Sequence, residues 1–211
     1  YHGAVSTRDL NERDTQNLYG AALSHWALAQ TRTAGRARVQ AYNPDPEQNG
    51  WESTHTVVQI VTDDQPFLVD SVSMALNELG LIIHLIVHPV LQVARDECAM
   101  IQSVGAEPSE PGQAEAWIQF EVDRQSETSQ LEAIEKAVEA ALHDVAVTVA
   151  DWQPMRQAAQ RAIRGLRRHS PAVDDDYLDE IIAFLEWVLD DHFTFLGYRR
   201  YDLRHRRGDL A

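Results

Sequence analysis

The chain has 211 residues, 44% of them hydrophobic, and thirty-three acidic side chains against eighteen basic ones give it a formal charge of −15. That hydrophobic share supplies a packed core and excludes disordered and fibrous classes, while the acidity opposes nucleic acid and anionic membranes unless basic groups are segregated. A single cysteine, Cys98, excludes an internal disulfide and a thiolate metal cluster, and the expected setting is a reducing, cytoplasmic one.

Tyr1 rather than Met opens the chain and no basic–apolar leader precedes the first element, so the sequence reads as a piece of a larger protein. Residues 8–31 put Leu10, Leu18, Ala22, Leu23, Trp26 and Ala27 on one helical stripe. A short extended piece around 37–46 then meets the turn residues Asn43–Pro44–Asp45–Pro46. "THTVVQIVTDD" predicts a strand closed by two aspartates. "PFLVDSVSMALNELG" predicts a helix striped by Leu68, Val72, Ala75, Leu76 and Leu79, with Pro66 near its first turn and Gly80 at its C-terminal cap.

"LIIHLIVHPVLQVARDE" reads as one long strand, too short and too interrupted by His84, His88 and Pro89 to span a bilayer. After a Gly/Pro/Glu loop, Ala116, Ile118, Phe120 and Val122 alternate with Glu115, Trp117, Gln119 and Glu121, which predicts a sheet with one face buried and the other largely wet. A second amphipathic helix carries Leu131, Ile134, Val138, Ala141 and Leu142, and "VAVTVADW" reads as the closing strand. The order strand–helix–strand–strand–helix–strand predicts an α+β, ferredoxin-like (βαββαβ) sheet with both helices on one face. The expected division is a helical extension over 1–47, this domain over 48–153, and a helical pair with the start of a following unit over 154–211. In that last part "DDDYLDEIIAFLEWVLDDH" predicts a helix capped by aspartate, and "FTFLGYRRYDLRHRR" a strand.

The chain has no glycine-rich phosphate loop and no nucleophile elbow. His84 and His88 sit four residues apart on a strand, about 13 Å, too far to share one metal ion, and His192 and His205 have no ligand at a telling spacing. The arginines of 156–168 lack interleaved aromatics and read as a solvated or ion-paired face rather than a nucleic-acid surface. Asp63 and Asp64 admit two readings. One of them caps the following helix, or the turn Asp63, Asp64, Gln65, Pro66 and Phe67 binds a small anion at free helix amides, with the aspartates meeting an amino group. A small catalytic α+β domain using Asp63, Asp64 and His84 or His88 is the alternative from another class.

A strand followed by "DDQPFLVDSV" and strand–strand–helix–strand resembles an ACT domain, the amino-acid-binding regulatory module. The family's D-x-P-G-L-L turn matches Asp64, Pro66, Phe67, Leu68 and Val69, with Phe67 where the family has glycine, a side chain bulky enough to close the pocket. Taken with "LEWVLDDHFTFLGYRRYDL", the segment "HTVVQIVTDDQPFLVDSVSMALNELGLIIHLIVHPV" is similar to the amino-terminal region of the large bacterial NAD-specific glutamate dehydrogenases. That resemblance, spanning about residues 15–204, implies a regulatory or oligomerisation module without a cofactor or catalytic residues of its own. It belongs to a parent enzyme that uses NAD to interconvert glutamate and 2-oxoglutarate. The implied partners are an amino-acid effector, further copies of the chain and the rest of the parent chain, with no nucleic acid and no membrane. A stand-alone amino-acid-binding ACT module is the nearest alternative.

Overall fold

The structure is a computed structural model that describes residues 14–107, 112–168, 174–199 and 201. The chain divides into two compact units, Tyr1–Ala146 and Val147–Ala211. The first is built on an antiparallel sheet of β1 (Arg38–Tyr42), β2 (Thr56–Asp63), β3 (Ile83–Val87), β4 (Val90–Arg95), β5 (Ile101–Gly105) and β6 (Gln113–Val122). Its helices are α1 (Thr15–Ala29), the single turn α2 (Pro46–Asn49) and α3 (Leu68–Glu78), and α4 (Thr128–Arg168) begins in it. The strand order is β1-β2-β6-β4-β5, with β3 also paired to β6. This is the α+β, ACT-type arrangement that the alternation and helical stripes predict.

The long strand expected from Leu81 is present as two pieces on one line. Val87 faces Gln119 and Val90 faces Ala116, so the register runs on through Pro89. Proline has no N–H to offer, yet the Pro89 carbonyl still accepts from the Trp117 amide at 3.0 Å. Gly80 ends α3 as expected: it is left-handed at φ 76°, its amide bonds Asn77 O, and the Leu81 amide bonds Leu76 O. Those two bonds satisfy the carbonyls that a helix end leaves open.

Residues 145–152, expected as the closing strand, are instead helical and part of α4, which also contains Pro154. Val145, Val147 and Val149 alternate as a strand would. Val145 is also the next helical step after Ile134, Val138 and Leu142, and it is buried as they are. Continuity of the buried stripe outweighs local β-propensity. The place beside β2 is taken by β1, paired antiparallel from Arg38 against Val61 to Tyr42 against Val57.

One sheet face carries the fully buried Val58, Ile60, Ile118 and Phe120. The buried stripes of α3 (Leu68, Val72, Leu76) and α4 (Ile134, Val138, Leu142) supply the apolar surface such a face requires. The opposite face, expected to be largely wet, is buried too: Glu115, Trp117, Gln119 and Glu121 are at most 2% exposed. The cause is α1. Leu28 and Ala29 pack with Val61, Val93 and Trp117, and Gln59 Nε2 donates to Ala21 O at 3.1 Å.

The face α1 uses also differs from expectation. It buries Gly20, Ala21, His25, Leu28 and Ala29, whereas Leu23 and Trp26 are 48% and 41% exposed. Leu10 lies outside the described residues. Small residues let the helix approach closely: a Cβ on Gly20 would lie 2.4 Å from Trp51 Cβ. His25 takes the place of an apolar anchor, donating from Nε2 to Ile60 O at 3.0 Å with its ring 5.5 Å from Trp117. Burial pushes its pKa down to about 4, so at neutral pH it is an uncharged donor.

In the second unit Ile163, Leu178 and Ile182 form an apolar seam between the end of α4 and α5 (Asp175–Trp187), followed by a π-helical turn at Val188–His192. Asp174 caps α5 by accepting from the Asp176 amide at 3.0 Å. The arginine stripe stays outside the seam: Arg167 pairs with Glu186, and Arg156 donates to Leu189 O at 2.7 Å while lying over the Trp152 ring. Residues 193–199, expected as a strand, have no strand pairing, since a strand forms only against a partner. Residues 200 and 202–207 of that predicted strand, His205 among them, lie outside the described residues. Among the described residues no helix is long and apolar enough to cross a membrane.

Candidate functional site

β2 ends at Asp63, and the chain reaches α3 through Asp64, Gln65, Pro66 and Phe67. Phe67 is the N-cap of α3 and is left-handed, at φ 71° and ψ 4°. A glycine adopts that conformation freely, whereas a residue with a Cβ pays roughly 1–2 kcal/mol for it. The ring is exposed, so the bulk of Phe67 points away from the core. The turn keeps the backbone of a glycine while carrying an aromatic side chain.

Neither aspartate caps α3, which has no side-chain cap. Asp63 is held elsewhere: Oδ1 accepts from Arg32 at 2.7 Å and Oδ2 from the Gly35 amide at 2.8 Å. The same Arg32 nitrogen donates to Glu115 at 2.8 Å, which stands opposite Asp63 in the β2–β6 register. Arg95 grips Glu115 with two bonds, 2.7 Å from Nε and 2.9 Å from an η nitrogen. Burial works against charge on Glu115, but hydrogen bonds from Arg95 and Arg32 outweigh it and hold its pKa below the usual carboxylate value. Two arginines and two carboxylates thus make a neutral cluster beneath the turn, with Arg32 only 2% exposed. Nothing in the sequence spacing marks it, because its members come from four segments and meet only through the register.

Asp64 continues the ladder with its amide on Ala114 O at 3.0 Å, and its side chain is exposed. Its charge acts on His88, whose pKa burial lowers against that opposing attraction. His88 Nε2 is buried without a hydrogen-bond partner. His84 lies with a different group. A register shift between Ile83 and Leu85 makes His84 an extra residue in β3, and its Nε2 lies 2.8 Å from Asp123 Oδ1, its ring 4.3 Å from His55. The turn and His84 therefore have separate partners, and of the two histidines named for a catalytic domain it is His88 on which the Asp64 charge acts. Among the described residues no group of three or more histidine, cysteine or carboxylate side chains could hold a metal ion.

Chemically, the turn presents the uncapped first-turn amides of α3, the positive end of its dipole, next to the exposed Asp64 carboxylate. That pairing of an anion acceptor with a negative charge complements a zwitterion. Asp63 is withdrawn from such contact by Arg32, and Pro66 and Phe67 are exposed beside Asp64.

An antiparallel sheet whose β2 leads through a left-handed turn into α3 fits an ACT-type module. The chain matches, over residues 1–138, the family described as "Glutamate dehydrogenase, ACT1 domain", and it belongs to that family. It is 42% identical over 211 residues to the NAD-specific glutamate dehydrogenase of Halomonas elongata, covering 99% of this chain and 13% of that protein. With the NAD-specific glutamate dehydrogenase of Pseudomonas aeruginosa it shares 38% identity over 206 residues, 96% of this chain and 13% of the relative. The corresponding protein of Mycobacterium tuberculosis is 26% identical over 184 residues. The chain thus spans about an eighth of the length of the first two of these relatives.

Proposed function

We propose that the chain is the non-catalytic, amino-terminal regulatory and oligomerisation region of a cytoplasmic NAD-dependent glutamate dehydrogenase. The parent reaction on this reading is oxidative deamination of glutamate: NAD takes the hydride, and water replaces the amino group, to give 2-oxoglutarate and ammonia. NAD binds elsewhere in the parent, and this region holds no cofactor of its own.

The observation that carries the regulatory reading is the turn. Its left-handed backbone at Phe67 leaves α3 without a side-chain cap, beside the exposed Asp64. An amino-acid effector would set its carboxylate on those amides and its ammonium on Asp64, with Gln65, Pro66 and Phe67 bordering it and Asp63 organising the turn from below. Oligomerisation is favoured by apolar side chains left exposed on and beside the sheet, among them Ile82, Ile86 and Val90.

A thermal-shift scan against the common amino acids, 2-oxoglutarate and NAD tests the reading. An effector at a hundred times its Kd adds about 2.7 kcal/mol, a rise of roughly 5–11 °C for a chain of this size. The expected result is a rise with one amino acid, lost in Asp64→Asn. A flat response throughout removes the effector site and leaves assembly, which sedimentation of the chain as a function of concentration then tests.

A further inference from the structure

A groove of about 460 Å³ lies between α1, β1 and α2. Its apolar wall is Leu23, Ala27 and Leu28, and its floor is the row Arg38, Gln40 and Tyr42 on one face of β1. The side chains of Gln48 and Asn49 close one end. None of the turn residues 63–67 lines it.

Charge sets this groove apart. In a chain of formal charge −15, its lining contains no carboxylate and one charged residue, Arg38. Arg32, six residues earlier, is neutralised by Asp63 and Glu115. Among the described residues the Arg38 side chain makes one hydrogen bond, from an η nitrogen to Thr31 O at a long 3.3 Å, and has no ion-pair partner. An arginine left exposed with most of its donor fork unused suits bidentate capture of a carboxylate. The volume falls within the range of small-molecule sites. Along the floor the exposed Gln40 provides a neutral hydrogen-bonding amide, whereas the Tyr42 hydroxyl is buried, which pushes its pKa up to about 12.

We infer that this groove is a second small-molecule site of the module, which binds a carboxylate with a short aliphatic body: carboxylate on Arg38, aliphatic chain on Leu23, Ala27 and Leu28. An amino acid and a 2-oxo acid share that chemistry. An amino group would need an acceptor such as the Gln40 amide oxygen, and a keto oxygen would need a donor such as the Gln40 amide nitrogen.

Calorimetric titration of the chain with L-leucine, with 4-methyl-2-oxopentanoate and with 3-methylbutylamine tests the assignment. The first two carry the carboxylate as amino and oxo acid, and the third lacks it. Saturable one-to-one binding of at least one carboxylate and none of the amine is expected, and the tighter of the two acids identifies the source. Arg38→Gln should weaken binding by roughly ten- to a hundredfold, the loss of a charge-assisted pair. Arg38→Lys, keeping the charge without the fork, should fall between, with near-ultraviolet circular dichroism unchanged in both. Asp64→Asn, which disables the proposed effector turn, should leave this binding intact. The assignment is overturned if neither carboxylate saturates, if affinity survives Arg38→Gln, or if Asp64→Asn abolishes it, which would move the binding to the turn.

Discussion

His25 makes the stability of the first unit depend on pH in a calculable way. Its imidazole is fully buried, donates to Ile60 O, and has its pKa lowered to about 4 from 6.5 by burial, against the opposing effect of the Ile60 bond. Below pH 6.5 the unfolded chain takes up a proton there that the folded chain refuses, so stability falls with pH until the folded pKa is reached. The difference of about 2.5 units corresponds to roughly 3 kcal/mol in all, of which about 2 kcal/mol is lost between pH 7 and pH 4.5. His88, also lowered, adds in the same direction, and Glu115 begins to contribute only below its ordinary value near 4.5. Urea unfolding followed by tryptophan fluorescence across that range measures the slope. In His25→Gln, where the amide can still donate to Ile60 O, the slope between pH 6.5 and 4.5 should flatten markedly although stability at pH 7 is lower. An unchanged slope would refute a neutral, buried His25.

Three further outcomes follow from the packing and the turn. Gly20→Ala places a methyl within 2.4 Å of Trp51 Cβ and should cost about 1–3 kcal/mol through overpacking, read by the same unfolding assay. Glu115→Ala strips Arg32 and Arg95 of their shared carboxylate and should cost about 3–5 kcal/mol; a loss below 1 kcal/mol would mean that water reaches the cluster. Phe67→Gly relieves the left-handed strain at an exposed site and should raise stability by up to about 1 kcal/mol, seen as a small rise in Tm. A clear fall would show that the ring packs against the fold.

Much of the module is legible along the chain because its signals are local. The Leu68–Val72–Leu76 stripe with Gly80 marks α3, the β-branched run marks β2, and Asp174 marks the start of α5. The misplaced parts share a cause. Val145–Trp152 carries both periodicities, and only the helix already running from Thr128 selects one. The buried side of α1 does not follow hydrophobicity, because the surface beneath it is polar and close, which favours Gly20, Ala21 and His25 over Leu23 and Trp26. At the candidate turn the division of labour between Asp63, held by Arg32, and Asp64, left exposed, depends on partners far away in sequence.

From its sequence alone the protein is determined to be an acidic α+β chain of ACT type, with a β-to-α turn at Asp63–Phe67 and paired amphipathic helices after it. Periodicity and capping act within a few residues, and the linear order preserves them. Tertiary structure decides that both sheet faces are buried, that β1 rather than a carboxy-terminal strand flanks β2, and that Arg32, Asp63, Arg95 and Glu115 neutralise one another. Each of those depends on which strand lies beside which and in what register, and a charge enters the interior only where that register brings its counter-charge within hydrogen-bonding distance.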